Sequence, residues 1–302
     1  MTQVQFNDAT NLSFALQQAS YVEPVAVLRK YPDITYMDDV PVDTSANPYA
    51  ATVTFFSLDR VGTAKLITAH SDDVPLANIA LDKWEAPVYT GGAGYAFSKV
   101  EIGQAMMAGG MNLSAMGAEA AVWTMQKFID AATYLGTGMP AGVTGLYNTA
   151  GVTTLAATGL WSALTGDQIL ADANAMLSGV YSGSLMVEMA DTLRLPPAVY
   201  ANIATKARGA TTDTTVLQFL QAANVYTAST GKPLNIRGDK FLTTTACAYR
   251  KDPDVIKLHL PMPPTFEPME ARSLSYYVAG MFRMAALDVR RPGSIRYMSG
   301  VA

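Results

Sequence analysis

The chain has 302 residues, of which 50% are hydrophobic and 15% charged, so it can bury a sizeable core and lacks the composition of a disordered protein. Its formal net charge of −4 excludes the strongly basic surface of a general nucleic-acid binder. One cysteine excludes an internal disulfide, and two histidines leave little for a metal site. No apolar run reaches about eighteen residues, and the start lacks signal-peptide features, so we expect neither a membrane span nor export.

Charge is unevenly distributed along the chain. Residues 1–50 carry two cations and six acids, whereas residues 250–302 carry eight cations and five acids. An acidic beginning and a basic end are typical of subunits that attract one another, or of a face turned toward a polyanion. Ordinary solvated surface explains the same pattern and stays open as the alternative.

The first predicted elements follow a polar segment of about twenty residues that has no apolar core of its own. The alternating runs "TVTFFSLD" and "TAKLITA" predict two strands of a hairpin. Its turn is expected from Arg60 to Gly62, because glycine can supply a positive φ there. After a polar stretch broken by Pro75, "EAPVYT" predicts a further strand.

Two helices come next. Ser98 and Glu101 have the spacing of a capping box, so a helix begins there and should end at the next glycine pair. A second helix begins near Asn112 or Ser114 and continues to about Leu135, because its apolar residues recur every three or four positions. Few charges interrupt it, which predicts a long and largely buried helix.

The remaining elements mix helices and strands. "GDQILADANAMLSGVY" predicts a helix capped by Asp167, "PPAVYANIATKA" a helix that starts with prolines, and "DTTVLQFLQAAN" a helix capped by Asp213. "SLMVEMA", "ACAYR" and "VIKLHLPM" predict strands, and the last forty residues return to β-structure. Because no repeat or linker-like tract occurs, any second domain must be inserted into the first.

The stretch "YLGTGMPAGVTGLYN", residues 134–148, contains four glycines and raises the question of a nucleotide site. A phosphate loop precedes a helix N-terminus, whereas this stretch follows the long helix and lacks both G-x-G-x-x-G spacing and a Gly-Lys-Ser/Thr sequence. It therefore predicts a helix C-cap and a turn. "GGAG" at 91–94 precedes a helix, but a strand-to-helix bend is the simpler interpretation. Neither His70 nor His259 belongs to a catalytic set, so no residue is assigned to catalysis, cofactor or metal binding.

Five segments, taken in order, resemble the landmarks of the major capsid protein family of tailed bacteriophages. They are "SLDRVGTAKLI", "YAFSKVEIGQAMMAGGMNLSA", "TGMPAGVTGLYN", "AYRKDPDVIKLHLPMPPTFEP" and "LDVRRPGSIRYMSG". The resemblance extends from about residue 20 to the end and depends on the ordered set rather than on one motif. It implies an α+β fold of the Hong Kong 97 phage capsid type, which encapsulin shells share.

The resemblance also implies a domain layout. Residues 1–30 would be an N-terminal arm, and residues 50–82 would be an extended loop over a neighbouring subunit. The peripheral domain would consist of residues 31–49, 83–148 and 263–302, with its spine helix at about 113–136. Residues 149–262 would be an inserted axial domain. Candidates for inter-subunit contact are Arg60, Gly62, Lys65, Arg290, Arg291 and Arg296, of which the last three are also candidates for DNA contact, and Gly136 and Gly138 are hinge candidates. Lys65 lies in the loop that carries the cross-linking lysine of the Hong Kong phage, but no asparagine or glutamate matches the other roles, so a cross-link is not expected.

The implied function is that of a major capsid protein, not an enzyme and without a cofactor, which assembles in the host bacterial cytoplasm into an icosahedral shell around double-stranded DNA. The implied partners are copies of itself in pentamers and hexamers, non-specifically bound DNA, and scaffolding, portal and decoration proteins, with no membrane. Two alternatives stay open. One is an encapsulin-type compartment that holds an enzyme, and the other is a small-molecule enzyme that uses a glycine loop.

Overall fold

The computed structural model describes residues 30–67, 74–107, 112–209 and 214–302. The chain divides into two units, Met1–Asp33 and Ile34–Ala302. Of the first unit only residues 30–33 are described, and they carry no helix or strand. The predicted N-terminal arm therefore lies almost entirely outside the described residues.

The described part of the second unit contains seven α-helices and fifteen strands. The helices are α1 (Tyr36–Asp39), α2 (Lys99–Met107), α3 (Leu113–Leu135), α4 (Gly166–Gly183), α5 (Pro197–Thr205), α6 (Val216–Ala222) and α7 (Val225–Thr230). The strands are β1 (Val42–Asp43), β2 (Thr52–Val61), β3 (Asn78–Gly92), β4 (Tyr95–Ser98), β5 (Thr153–Ala156), β6 (Thr192–Leu195), β7 (Asn235–Gly238), β8 (Thr245–Tyr249), β9 (Ile256–His259), β10 (Met262–Phe266), β11 (Glu270–Arg272), β12 (Ser275–Val278), β13 (Gly280–Ala285), β14 (Asp288–Val289) and β15 (Ile295–Ser299), with a short 3₁₀ helix at Pro292–Ser294.

The strands form four sheets. The largest has the order β5-β15-β8-β6-β7, and the others are β10-β13-β3-β2, β11-β12-β4 and β1-β9-β14. The C-terminal strand β15 pairs with β5 and β8 and so belongs to the sheet of residues 149–262, although the sequence-based layout places 263–302 in the peripheral domain. Four of its five residues are buried, so it needs a neighbour on each edge, and β5 and β8 provide them.

The five-stranded sheet separates two hydrophobic cores. Ala246, Ala248 and Met298 point into a core built with α4, α5 and α6. Cys247 and Tyr249 point the other way, into a core that contains residues of α1, α3 and β9. Because successive side chains of a strand lie on opposite faces, β8 is a wall shared by both cores. The two cores are thus packed on the same sheet.

The two central helices begin as predicted. The Ser98 amide donates to Glu101 Oε2 at 2.7 Å and the Glu101 amide donates to Ser98 Oγ at 3.1 Å, which is the expected capping box. Asn112 accepts from the Ala115 amide at 3.1 Å and caps α3, which ends at Leu135. The predicted end of the first helix, the glycine pair at 109–110, lies outside the described residues.

The predicted hairpin turn at Arg60 to Gly62 is wrong. β2 continues through Arg60 to Val61 and pairs over its whole length with β3, so that Val61 lies opposite Asn78. "TAKLITA" is not the second strand, since residues 62–67 carry none and 68–69 lie outside the described residues. The more distant partner forms a ladder of ten residue pairs, from Thr52↔Pro87 to Val61↔Asn78, which the few residues after Gly62 could not match.

Three further expectations are corrected. "SLMVEMA" is not a strand, because residues 184–191 form a turn and an irregular segment after α4. Asp167 does not cap α4. Thr165 does so in a capping box with Gln168, and Asp167 lies in the first turn. Asp213 lies outside the described residues, and Thr215 caps α6 instead. The Thr165 hydroxyl, on the extended residue just before α4, reaches a free first-turn amide, whereas the Asp167 carboxylate, two residues later, does not.

Candidate subunit-contact surfaces

The ribbon formed by β2 and β3 has two chemically different faces. Successive side chains of a strand lie on opposite faces, and Leu58 lies opposite Leu81. One face of the ribbon therefore carries the even-numbered residues of β2 and the odd-numbered residues of β3. The opposite face carries Ser57, Asp59 and Asp82 in its outer half, together with exposed Val61 and, nearer the base, Trp84. We call the face that carries Leu58 and Leu81 the apolar face, because four of its large apolar side chains are 59–72% exposed: Phe56, Leu58, Ile79 and Leu81.

The apolar face lacks a covering layer among the described residues. A two-stranded ribbon is only marginally stable in water unless something packs on it. Near its base, Phe55 on the other face contacts the Arg290 guanidinium, whose carbon lies 4.5 Å from the ring centre. Since Phe55 and Phe56 point in opposite directions, the apolar face points away from this contact with the subunit's own body. The geometry is that of a surface available to another molecule.

The other candidate residues of the loop lie at the outer end of the ribbon. Arg60 is on the apolar face, opposite Ile79. Gly62 follows the last paired residue, and a Cβ added there would stand 2.9 Å from the Ala77 Cα, so the close approach of the two chains favours glycine. Lys65 lies in the exposed segment that follows.

The three C-terminal arginines lie in different environments. Arg290 donates from Nε to Asp288 at 2.8 Å and its side chain is 23% exposed. Arg291 donates from Nη1 to Glu188 Oε1 at 2.7 Å and is 49% exposed. Arg296 is buried on β15 and donates to the Gly179 carbonyl of α4. Sequence reasoning grouped them by proximity along the chain, but Arg296 offers little surface to DNA or another subunit.

A buried ion pair joins α1 to the five-stranded sheet. Arg194 of β6 donates from Nη2 to Asp39 Oδ1 at 2.5 Å, and the two side chains are 1% and 0% exposed. Arg237 reaches both carboxylate oxygens at 3.0 and 3.1 Å, and the Tyr134 hydroxyl donates to Oδ2 at 2.5 Å. Burial is the largest influence on Arg194 and opposes its charge, but the hydrogen bond to Asp39 and the coulombic contributions of Tyr249, Asp39 and Tyr147 together outweigh burial and hold the pKa of the guanidinium above its ordinary value.

A second carboxylate supports the same junction. Asp130 of α3 accepts from the amides of Thr35 and Tyr36 at 3.1 and 3.0 Å, at the N-terminus of α1, and pairs with Lys240 at 2.7 Å. Burial and the nearby Asp130 charge raise the pKa of Tyr36 to about 12. Sequence analysis missed both carboxylates. The available signal was Arg194, a lone cation in the otherwise apolar segment "LRLPPAV" and the first after Lys127.

The glycine-rich stretch forms a tight corner, as predicted. Gly136 ends α3 with φ 69° and Gly138 has φ 83°. A Cβ at Gly138 would stand 2.4 Å from the Phe128 ring. The chain then returns along the helix, because the amides of Leu146 and Tyr147 donate to carbonyls of α3 at 2.9 and 3.0 Å. The corner is held against α3 on both sides.

A cluster of charged groups surrounds His259 on β9. Asp43 Oδ2 lies 3.6 Å from Nδ1 and Asp288 Oδ2 lies 3.5 Å from Nε2. The hydroxyl and backbone amide of Ser45 donate to Asp43, and these hydrogen bonds, with Lys257 nearby, lower the pKa of its carboxyl to about 2. His259 thus lies between β1 and β14, with a carboxylate beside each ring nitrogen. No group of three His, Cys, Asp or Glu side chains within the described ranges is placed to hold a metal ion.

Comparison with known proteins identifies the family. The sequence profile described as the major capsid protein matches residues 62–301, well over half of the chain. The chain belongs to the major capsid protein family. No protein with a curated description matches it in sequence.

Solved structures show that the capsid protein has the expected fold. The capsid of Myoviridae phage XM1 superposes with a TM-score of 0.83 at 21% identity, covering 94% of this chain and 98% of that chain. A chain from Mycobacterium phage Bobi superposes with a TM-score of 0.66 at 10% identity, covering 96% of this chain and 97% of that chain. A chain of a virus-like particle from Pyrococcus furiosus superposes with a TM-score of 0.54 at 11% identity, covering 87% of this chain and 91% of that chain. The α+β fold of the Hong Kong 97 type is therefore confirmed.

The capsid protein is thus a structural component of a virion shell that is built from copies of itself. None of the helices within the described ranges is both long enough and apolar enough to cross a membrane.

Proposed function

We propose that this capsid protein assembles, in rings of five and six copies, into an icosahedral shell around the double-stranded DNA of a tailed phage, in the cytoplasm of a bacterial host. The observation that carries the proposal is the family match over residues 62–301, and the likeness to the XM1 capsid over nearly the whole chain supports it. Scaffolding, portal and decoration proteins are the further partners proposed.

The proposed layout has residues 1–30 as an arm and 50–82 as an extended loop that lies over a neighbouring subunit. Residues 31–49 and 83–148 would form the peripheral domain together with much of 263–302, and 149–262 the axial domain. The exposed apolar face of the ribbon supports the role of the loop. Four large apolar side chains left in water are better explained by a partner surface than by the free subunit.

DNA contact in this proposal is weak, non-specific and sensitive to salt, because the chain carries a net charge of −4. Arg290 and Arg291 are the candidates with exposed side-chain surface, in contrast to Arg296. Gly136 and Gly138 stay hinge candidates for shell maturation, and comparing their backbone angles in subunits from differently curved positions would test that role.

The experiment is expression of the full chain, followed by electron microscopy and assay of nuclease-resistant DNA. We expect closed particles, and DNA inside them when the phage packaging proteins are present. Shells that instead copurify with a protein cargo would support an encapsulin-type compartment. A small discrete species that binds nucleotide would contradict the proposal in favour of an enzyme.

The loop assignment has its own variant. Ser57 and Asp82 are directly paired, so residues 58–81 can be replaced by Asn-Gly, which closes a two-residue hairpin turn on that pair. We expect a soluble subunit that does not form shells. Normal particles from this variant would show that the loop is dispensable for assembly.

A further inference from the structure

The turn after α4 has a backbone that its residues disfavour. The helix ends in a Schellman arrangement, in which the Leu185 amide donates to the Ser182 carbonyl at 3.2 Å and the Met186 amide to the Tyr181 carbonyl at 2.8 Å. Leu185 occupies the position at which glycine is usual, with φ 55°, and Met186 follows with φ 64°. Two consecutive non-glycine residues in the left-handed region are costly, and such strain persists only where the surroundings enforce it.

The surroundings hold this turn from both ends. Ser184 Oγ donates to the Glu188 carbonyl and accepts from the Glu188 amide, both at 2.9 Å, which closes the turn. The Glu188 side chain is in turn held by Arg291 at 2.7 Å. Before the turn, Gly183 packs so closely that an added Cβ would stand 3.0 Å from the Gly293 carbonyl oxygen. The turn is therefore fixed rather than adaptable.

The strain presents apolar side chains to water. Leu185, Met186 and Val187 are 86%, 71% and 68% exposed, so none of them contributes appreciably to the core of the subunit. A turn with no task beyond reversing the chain would be expected to carry glycine, asparagine or another polar residue here. The fold instead holds three large apolar groups outward at a backbone cost.

We propose that residues 185–187 are a preformed apolar contact that packs against a neighbouring copy of this chain in the shell. The inference rests on the proposed shell, since a major capsid protein meets copies of itself on several sides. The three side chains expose roughly 400 Å², about half of what one partner contributes to a standard interface. An area of this size is too small to hold an independent partner, but it suits one of the many contacts that closure of a shell makes collectively stable.

The first test separates strain from contact. In the variant Leu185→Gly/Met186→Gly, glycine fits the left-handed backbone, so the thermal midpoint of the subunit should stay the same or rise. Shell yield at equal subunit concentration should fall about tenfold, as for loss of a well-packed interface residue. The matched control is Ser273→Gly, at another exposed position of positive φ (55°), which relieves strain without removing an apolar group and should leave yield unchanged.

Two results of this test would overturn the proposal. Full shell yield from the double-glycine variant would show that the turn makes no needed contact. A lower melting midpoint would show that the side chains stabilise the subunit itself.

The second test identifies what covers the turn. The native Cys247 is completely buried, and burial raises the pKa of its thiol, so it provides a silent background for maleimide labelling of Met186→Cys. We expect labelling in unassembled subunits and protection in shells. Labelling in both states would show that no neighbour covers the turn, and protection in both would show that the chain's own segments do. Either result, obtained with shells present, contradicts this inference while leaving the proposed function intact.

Discussion

Replacing Asp39 with asparagine should test whether the buried ion pair holds the two cores together. Asp39 accepts hydrogen bonds from Arg194, Arg237 and Tyr134, and the side chains of Asp39 and Arg194 are 0% and 1% exposed. Asparagine keeps the shape of the side chain but removes the charge that offsets Arg194. Its amide group also places hydrogens where the carboxylate had accepted them, facing a guanidinium.

The expected loss follows from the bonds removed. Asp39→Asn weakens two charge-assisted contacts, each with a net contribution of about 1.5–3 kcal/mol. Breaking a buried pair by removing one partner typically costs about 3–5 kcal/mol, because the other charge stays buried. At an unfolding entropy of about 2.1 cal/mol/K per residue, each kcal/mol lowers the melting midpoint of a 302-residue chain by about 1.6 °C, so we expect a decrease of about 5–8 °C. Arg194→Met should cost less, about 1–3 kcal/mol, because Arg237 and Tyr134 still contact the carboxylate.

The assay is thermal unfolding of soluble subunits followed by circular dichroism. The control is Asp38→Asn, since the neighbouring Asp38 side chain is 71% exposed and lies 3.7 Å from Arg237. A surface pair of this kind is worth less than about 1 kcal/mol. Asp39→Asn/Arg194→Met should cost less than the sum of its single changes. If Asp39→Asn had the same melting midpoint as Asp38→Asn, the junction would not depend on this ion pair, and our reasoning would be refuted.

Three further predictions concern the ribbon, the corner and acid stability. Leu58→Asn, on the apolar face of the ribbon, should lower shell yield in electron micrographs about tenfold. The neutral control Ser57→Asn, on the opposite face, adds no charge beside its partner Asp82 and should leave the yield unchanged, and equal losses would contradict the assignment of faces. Gly138→Ala and Gly142→Ala each place alanine at a positive φ, at a cost of about 1–2 kcal/mol. Only Gly138→Ala also adds a Cβ 2.4 Å from the Phe128 ring, so this variant should have the lower melting midpoint. Equal midpoints would argue against that close packing. The pKa of Asp43 is about 2 in the folded chain, against an ordinary 3.8, so its carboxylate stabilises the fold above about pH 3.8 and this contribution is lost as the pH falls through about 2. Between pH 5 and 2 the denaturation midpoint should therefore fall less steeply in Asp43→Asn than in the native chain. Parallel curves would exclude this contribution.

Elements that depend on a few neighbouring residues could be predicted from the sequence. The capping box of Ser98 and Glu101 and the long helix α3 are specified by spacing within one or two helical turns. The corner after α3 follows from glycines just past the last helical residue. The family resemblance extended these local segments to a whole fold, which the match over residues 62–301 confirms as that of a major capsid protein.

Features that depend on distant partners could not be predicted in this way. The hairpin was placed at the nearest glycine, but β2 pairs with a strand that begins seventeen residues after its own end, at Asn78. "SLMVEMA" is a short apolar run of the kind found in strands, yet Leu185, Met186 and Val187 are exposed whereas Ala190 is buried. An apolar run shows which side chains are apolar, and not what they will contact.

By itself the sequence determined that the chain is well packed and contains a long helix that ends at a glycine corner, because composition and periodicity act over short distances. Only the tertiary structure decided where the charges pair. Asp39 and Arg194 are 155 residues apart and meet because α1 packs beside a strand of the shared sheet. The physical reason is that burying a charge is favourable only with a partner in contact, and that partner is supplied by the folded arrangement rather than by any neighbouring residue.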